Sequence, residues 1–507
     1  MRACSSNEHG TYRTSGGKRS PDLHTGARYD LSPAECDDAV AMSTLAVTTV
    51  DLARIQFATT SLYHFLFVPL TLGLAPLVAV MQTLWYRGGD ERWLRLTRFF
   101  GTLMLINFVI GVATGLVQEF QFGMNWSIYS EFVGDVFGAP LAIEGLAAFM
   151  LESTFLGLWI FGWDRLSRRV HLATVWLFAI GSWASAFFII SANSWMQRPV
   201  GSRVTDGRAE LTDVWELFSN RFVIWAYIHV LLVGLTTASV VIFGVACWHF
   251  VRGRNQELFR HAAKLALIVG LPISAVNLGV GSQMGVVVTD YQPMKIASTE
   301  AQWDTCQPCS FSLFQIGGFT VDDQTPSFSI QIPHLLSILA TLSWDGEVKG
   351  MNELQASEAA TYGPGDYIPP TRTTYWSMRI MAYAGTLVFL VFALGALLYR
   401  RGSLASRRWF LWLGVLTIPL PYAAALAGWV LSEVGRQPWI VWGLLKTADA
   451  NSPSVSTATI ATSLGVFVAL YAALLVVDFV LMRRYARVDS PELGGEGDEF
   501  ALPAVES

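Results

Sequence analysis

Residues 138–166 read GAPLAIEGLAAFMLESTFLGLWIFGWDRL, an apolar stretch carrying only two carboxylates, Glu144 and Glu152, before the Asp164-Arg165 pair closes it. Hydrocarbon offers the backbone no water to bond, so an apolar run of about 20 residues must close its own hydrogen bonds as a helix. Eight further runs read the same way, at 58–86, 99–119, 172–194, 222–248, 265–284, 375–399, 409–430 and 459–482. With 138–162 they make nine transmembrane helices, an all-α polytopic membrane bundle. Pro69, Pro76, Pro140, Pro419 and Pro421 fall inside these runs. Neighbouring helices or waters can take up the carbonyls that proline frees, so they do not veto a span.

Composition agrees, with 52% apolar and only 14% charged residues where soluble domains carry roughly 25% charge. A formal charge of -5 without a basic run gives no reason to expect nucleic acid. Residues 1–50 form a polar extension with no apolar targeting core; translation is expected to start at Met42. Residues 488–507 read as a polar tail.

Short cytoplasmic loops collect Lys and Arg. Arg87, Arg92, Arg95 and Arg98 follow the first span; Arg165, Arg168 and Arg169 the third; Arg252, Arg254, Arg260 and Lys264 the fifth. Arg400, Arg401, Arg407 and Arg408 follow the seventh, and Arg483, Arg484 and Arg487 the ninth. Every odd span therefore ends inside, which places the N-terminus outside and the C-terminus in the cytoplasm. Spans one to six occupy 51–284 and spans seven to nine 375–487, and the long segment 285–374 between them lies outside. Its mix of Trp, Phe, Pro and Ile favours a folded loop. Cys306-x-x-Cys309 lacks the second pair or histidine of a zinc site and reads as a local disulfide or as nothing.

Each ionisable side chain in a span costs on the order of 2.5–3.5 kcal/mol and so needs a reason. Those expected are His64, Glu119, Glu144, Glu152, His229, Arg379 and Glu433, with His64 and His229 the two of eight histidines inside apolar runs. The topology puts His64, Glu144, His229, Met381 and Glu433 in the outer half of the membrane. Neutral imidazole and thioether are iron ligands, and a His/Met pair suits an electron-transfer heme. Met378 lies one turn from Met381 on nearly the same face and rivals it. Either histidine could instead make an interhelical hydrogen bond. Glu144 and Glu152, ~12 Å apart along a helix, have proton-relay spacing, with Ser153, Ser185 and Asn193 as polar neighbours. The plainer alternative is that they bond to neighbouring helices and never titrate.

RIQFATTSLYHFLFVPLTLG (54–73), INFVIGVATGLVQEFQFGMNW (106–126), the third-span stretch and AGWVLSEVGRQPW (427–439) together resemble subunit I of the cytochrome bd quinol oxidases over 51–487. The resemblance implies that His229 in WAYIHV and Met381 in MRIMAY hold a low-spin heme b. It implies that His64 and Glu433 are ligands of a high-spin pair, heme d and a second heme b, with His64 set on heme d. Glu144 and Glu152 would lie beside that pair on a proton route from the cytoplasm. Arg379, Arg436 and Arg54 would neutralise heme propionates or steady the site, or else serve as interface anchors. YQPMKIASTEAQW (291–303) resembles the quinol-loop signature, with Lys295 and Glu300 to anchor quinol hydroxyls; alone, the two would read as a solvated surface pair. Cys306 and Cys309 stand outside the family pattern, and the loop is short.

The implied activity is oxidation of a membrane quinol, ubiquinol or menaquinol, with reduction of dioxygen to water and charge separated without pumping. It implies a bacterial cytoplasmic membrane location, a second large subunit and small single-span subunits. Two alternatives stand beside it. One is a cyanide-insensitive relative with heme b in place of heme d. The other is a proton-coupled transporter, which would use the carboxylates and leave His64, His229 and Met381 idle.

Overall fold

A computed structural model describes residues 48–488. The expected extension up to 47, Met42 included, and the tail from 489 lie outside the described residues. Among the described residues nine helices are long and apolar enough to span a membrane: Thr49–Gly88, Glu91–Asn125, Ser127–Phe161, Arg168–Gln197, Arg221–Arg252, Gln256–Tyr291, Thr371–Arg400, Arg408–Val434 and Thr457–Tyr485. Each matches one expected run. They overhang the apolar runs at both ends, because a helix continues wherever its backbone bonds can be made, except that the third stops at Phe161, one residue short of its run. The overhang draws His171 and His249 into the fourth and fifth helices, where both are buried. The histidines of the spanning helices are therefore more than His64 and His229.

Three spans depart from regular helix where the sequence dictates it. The first breaks at 65–67 between Thr49–His64 and Val68–Gly88, since Pro69 lacks an N–H and crowds the carbonyl four residues back. Asn107 Nδ2 of the second span caps the break, donating to the Phe67 carbonyl at 2.8 Å. His64 thus ends a helix segment in the membrane interior. In the third span a π-turn occupies Glu144–Phe149, a wide turn common at functional sites. The eighth is divided at 417–419 before Leu420–Val434, again at a proline.

Spans five and six, six and seven, seven and eight, and eight and five pack in a ring, so the helix of His229 stands across from that of Met381. Spans one and five cross so closely that a Cβ on Gly73 would fall 2.0 Å from the Gly234 carbonyl oxygen. Such small-residue contacts let van der Waals packing hold helices that gain nothing from excluding lipid. The largest buried cluster fills one half of the bundle around Met81, Phe100, Trp159, Phe178, Phe243 and Phe392.

The sixth helix runs to Tyr291 and the seventh begins at Thr371, which shortens the connecting loop to 292–370. The loop is folded. It holds helices Pro293–Glu300, Leu335–Thr341 and Met351–Tyr362 and an antiparallel hairpin of Phe311–Gly317 with Pro326–Ile332. Cys306 and Cys309 form a disulfide, and Cys306 pairs by backbone with Val348.

Candidate functional site

His229 and Met381 lie eight and ten residues into helices that start on the same side, at comparable depths of about 12 and 15 Å. His229 Nδ1 is buried with no hydrogen bond. Asn277 of the sixth span reaches the ring without making a full hydrogen bond, since its Oδ1 is also buried and unpartnered. Glycines clear the space: Gly281 faces His229, its added Cβ 3.5 Å from Cε1, and Gly428 faces Met381, its Cβ 2.9 Å from Sδ. The Gly428 contact gives Met381 a place in the ring. An orphaned imidazole nitrogen and a thioether on facing helices, each beside a glycine, are donors that would suit a heme iron.

His64 Nδ1 lies 3.0 Å from Thr114 Oγ1, and the Thr114 hydroxyl donates to the Ile110 and Gly111 carbonyls. With two carbonyls available to that proton, we assign Nδ1 as the donor, the tautomer that leaves Nε2 for a metal. An outer hydrogen bond of this kind fixes the tautomer of a metal-binding histidine. Gly115 faces the ring, its added Cβ 3.1 Å from Cε1. Phe65 stacks on Trp429, centroids 4.4 Å apart, and so joins the His64 break to the eighth span one turn before Glu433.

The fourth span carries the remaining carboxylates on one face. Ser182 Oγ donates to Glu152 at 2.5 Å, Ser185 Oγ to Glu144 at 2.7 Å, and Asn193 Nδ2 to Glu433 Oε1 at 2.9 Å. Gln197 Oε1 accepts from Lys295 Nζ at 2.7 Å. At 100° per residue these four positions span about 120°, and from Ser182 to Gln197 the line rises about 22 Å. Glu119 of the second span lies within electrostatic reach of Glu144. Glu433 lies at the helix end, about 12 Å outward of Glu144 along this line, so the expected gathering of site residues at one depth becomes a ladder. Arg436 Nη2 donates to Glu433 Oε2 at 2.5 Å, while Arg436 Nε and Nη1 stay buried and unbonded, donors still available to an anion.

Lys295 and Glu300 are both buried, not a surface pair. Five residues apart on a helix, they point about 140° from each other and are not brought together. Lys295 Nζ donates to Gln197 and, at 3.0 Å, to the Ser432 carbonyl. Burial and the nearby Arg436 push its ammonium down to about 7, against the pull of Glu433. Glu300 instead pairs with Arg379 at 2.7 Å. Burial raises its carboxyl despite that ion pair. Arg379 also donates to the Thr299 and Ser312 carbonyls and lies 3.7 Å over the Tyr375 ring. It therefore anchors the loop to the seventh span, as a steadying residue would.

Arg54 is exposed on the first helix, one turn from Asp51 and away from these groups. Ser153 bonds back to the Met150 carbonyl at 3.4 Å, and Ser182 meets Glu152 in its stead. Ser182, Gln197, Thr114 and Asn277 escaped sequence reasoning because each acts on a residue of another span. Asp478, within LLVVDFVLM of the ninth span, was missed although it is a carboxylate in a run, and its Oδ1 is buried without a partner.

These features define a polytopic helical membrane protein with imidazole, thioether and carboxylate donors held between its spans. The model of the cytochrome bd terminal oxidase subunit I family matches residues 52–490, and the chain belongs to that family. It is 44% identical over 436 residues to cytochrome bd ubiquinol oxidase subunit 1 of Bacillus subtilis, covering 85% of this chain and 92% of that one. It is 36% identical over 505 residues to cytochrome bd-II ubiquinol oxidase subunit 1 of Escherichia coli, covering 88% and 98%. The solved bd oxidase of Geobacillus thermodenitrificans superposes with a TM-score of 0.78 at 29% identity, over 87% of this chain and 99% of that one. Membership removes the transporter alternative.

Proposed function

We propose that this chain is the heme-bearing subunit of a respiratory oxidase that oxidises membrane quinol and reduces dioxygen to water. The observation that carries the reading is His229, with a buried, unbonded ring nitrogen, on the helix across a ring of four spans from that of Met381, with Gly281 beside His229 and Gly428 beside Met381. His229 and Met381 would hold a low-spin heme b. His64, with Nε2 bare, and Glu433 would hold a high-spin heme b and heme d, His64 on heme d. When bound, the hemes supply the electron path and the oxygen chemistry.

The chain's own residues then have separate tasks. Lys295, poised near neutrality, takes up a quinol proton at the loop, while Glu300 on the other side of the same short helix serves the quinol site by holding that helix to Arg379. Arg436 offers two unbonded donors to a propionate. Glu152 and Glu144, each fixed by a serine of the fourth span, carry protons outward toward Asn193 and Glu433. With the arginine-rich ends of the odd spans in the cytoplasm, quinol protons leave outside and consumed protons enter from inside, so charge separates without pumping. The exposed apolar faces of the third and ninth spans, with Leu146, Phe161, Val466 and Phe479, suit lipid, a second large subunit and small single-span subunits in a bacterial cytoplasmic membrane.

Quinol-dependent oxygen consumption by the purified complex tests the reading. Activity lost in both Glu152→Gln and Lys295→Met, with hemes retained, is the expected result. Unchanged turnover in both would remove the assigned proton and quinol roles.

A further inference from the structure

The polar ladder of the fourth span ends at Glu433, and none of its members contacts His64. A second, half-buried polar group lies on the ninth span, which packs against the first span beside His64. Asp478 lies in the ninth span, about 10 Å from the helix end at Tyr485. Its Oδ1 is buried and unbonded, and no salt bridge joins it to a cation among the described residues. Tyr471 lies two turns farther along on the same helical face, buried, its hydroxyl also unbonded. Tyr471 stacks on Tyr63 of the first span, ring centroids 4.5 Å apart and planes at 16°, and Tyr63 precedes His64. Asp478 lies within electrostatic reach of Tyr63 and of the buried Tyr422 of the eighth span. From the second span the apolar Ile106, Ile110 and Val117 pack into this cluster.

An unpaired carboxylate deep in a span is expensive to keep, and packing alone gives no reason for it. A row of unsatisfied hydroxyls beside it offers places where waters can bond. We infer that Asp478, with Tyr471 as the next carrier, is a second proton-delivery line, serving the His64 side of the oxygen site while the Glu152–Glu144 line serves the Glu433 side. The inference rests on the proposed oxidase function and on the cytoplasmic end of the ninth span. Protonated Asp478 passes its proton along a chain of waters to the Tyr471 hydroxyl, about 10 Å outward on the same face, as that hydroxyl releases its own proton to a water on the His64 side, and the carboxylate refills from the cytoplasm. No electron moves in this step.

The test uses the assembled complex with Asp478→Asn, Asp478→Glu and Tyr471→Phe. Three readouts apply: the reduced heme spectrum, the infrared band of protonated carboxyl groups followed through a pH titration, and turnover from acid to alkaline pH. Asp478→Asn is expected to keep the heme spectrum, remove one titrating carboxyl band and lower alkaline turnover on the order of tenfold. Asp478→Glu restores both, and Tyr471→Phe keeps the band but loses turnover. Wild-type turnover in Asp478→Asn, or an unchanged band, overturns the relay. Should Asp478→Asn fail to assemble, wild-type pH profiles in both Asp478→Glu and Tyr471→Phe overturn it. A wild-type complex without hemes or quinol-dependent oxygen consumption would instead overturn the proposed function, a failure read independently of the carboxyl band.

Discussion

The Arg379–Glu300 pair sets the strength with which the outer loop is fastened to the bundle. Both side chains are almost fully buried, 1% and 3% exposed, so screening by solvent is small. Removing one partner of a buried pair generally costs about 3–5 kcal/mol, because the other charge is stranded. Glu300→Gln leaves the guanidinium its Thr299 and Ser312 carbonyls and the Tyr375 ring, so the lower end applies, about 3 kcal/mol. That shifts the opening equilibrium of 292–370 by roughly 100-fold, at about 1.4 kcal/mol per decade. Arg379→Met strands the carboxylate, which can escape by taking a proton. Its carboxyl, already raised by burial, rises further once the guanidinium is gone. A carboxyl raised in the folded state favours folding below the ordinary glutamate range, and that contribution disappears as pH climbs through the raised value. Arg379→Met should therefore be nearly stable at acid pH and loose at alkaline pH, while Glu300→Gln is loose at both. Limited proteolysis of the loop in detergent, followed against pH, measures this. Wild-type protection in both variants, or no pH dependence in Arg379→Met, would refute the reasoning.

Met381→Ala should abolish the low-spin heme signal in the reduced spectrum while Met378→Ala leaves it; the reverse would reassign the ligand. Gly428→Ala places a methyl 2.9 Å from Met381 Sδ and should perturb the low-spin band while costing about 1–3 kcal/mol, read by the spectrum and by thermal unfolding. Gly234→Ala, whose Cβ would lie 2.9 Å from Leu72 Cβ and 3.1 Å from the Pro69 carbonyl oxygen, should lower the unfolding temperature with the low-spin band unchanged. The pH profile of quinol oxidation should inflect near the Lys295 value of about 7, and the small residual activity of Lys295→Met should show no such inflection.

The nine spans were legible because length and apolarity are properties of a single run and the membrane imposes one solution on it. His64, His229, Glu144 and Glu152 stand out as costly exceptions inside such runs, and Glu433 as one just past the end of the eighth. Asp478 obeyed the same rule and was passed over among the valines and leucines around it. Contacts between spans were not readable. Ser153 is next to Glu152 in the chain but 100° around the helix, whereas Ser182 meets it from 30 residues away. Lys295 and Glu300 looked like one site by spacing and serve different spans. The Gly428 contact that favours Met381 over Met378 joins two helices, and no one-dimensional pattern contains it.

The optical spectrum of the purified complex, reduced with dithionite, tests the central claim most directly. A low-spin heme b band that disappears in His229→Ala is expected, together with a high-spin heme b and a red-shifted chlorin band of heme d that survive it. A high-spin site showing heme b alone would reassign the His64 cofactor; a spectrum with no heme band, or a low-spin band indifferent to His229→Ala, would contradict the account.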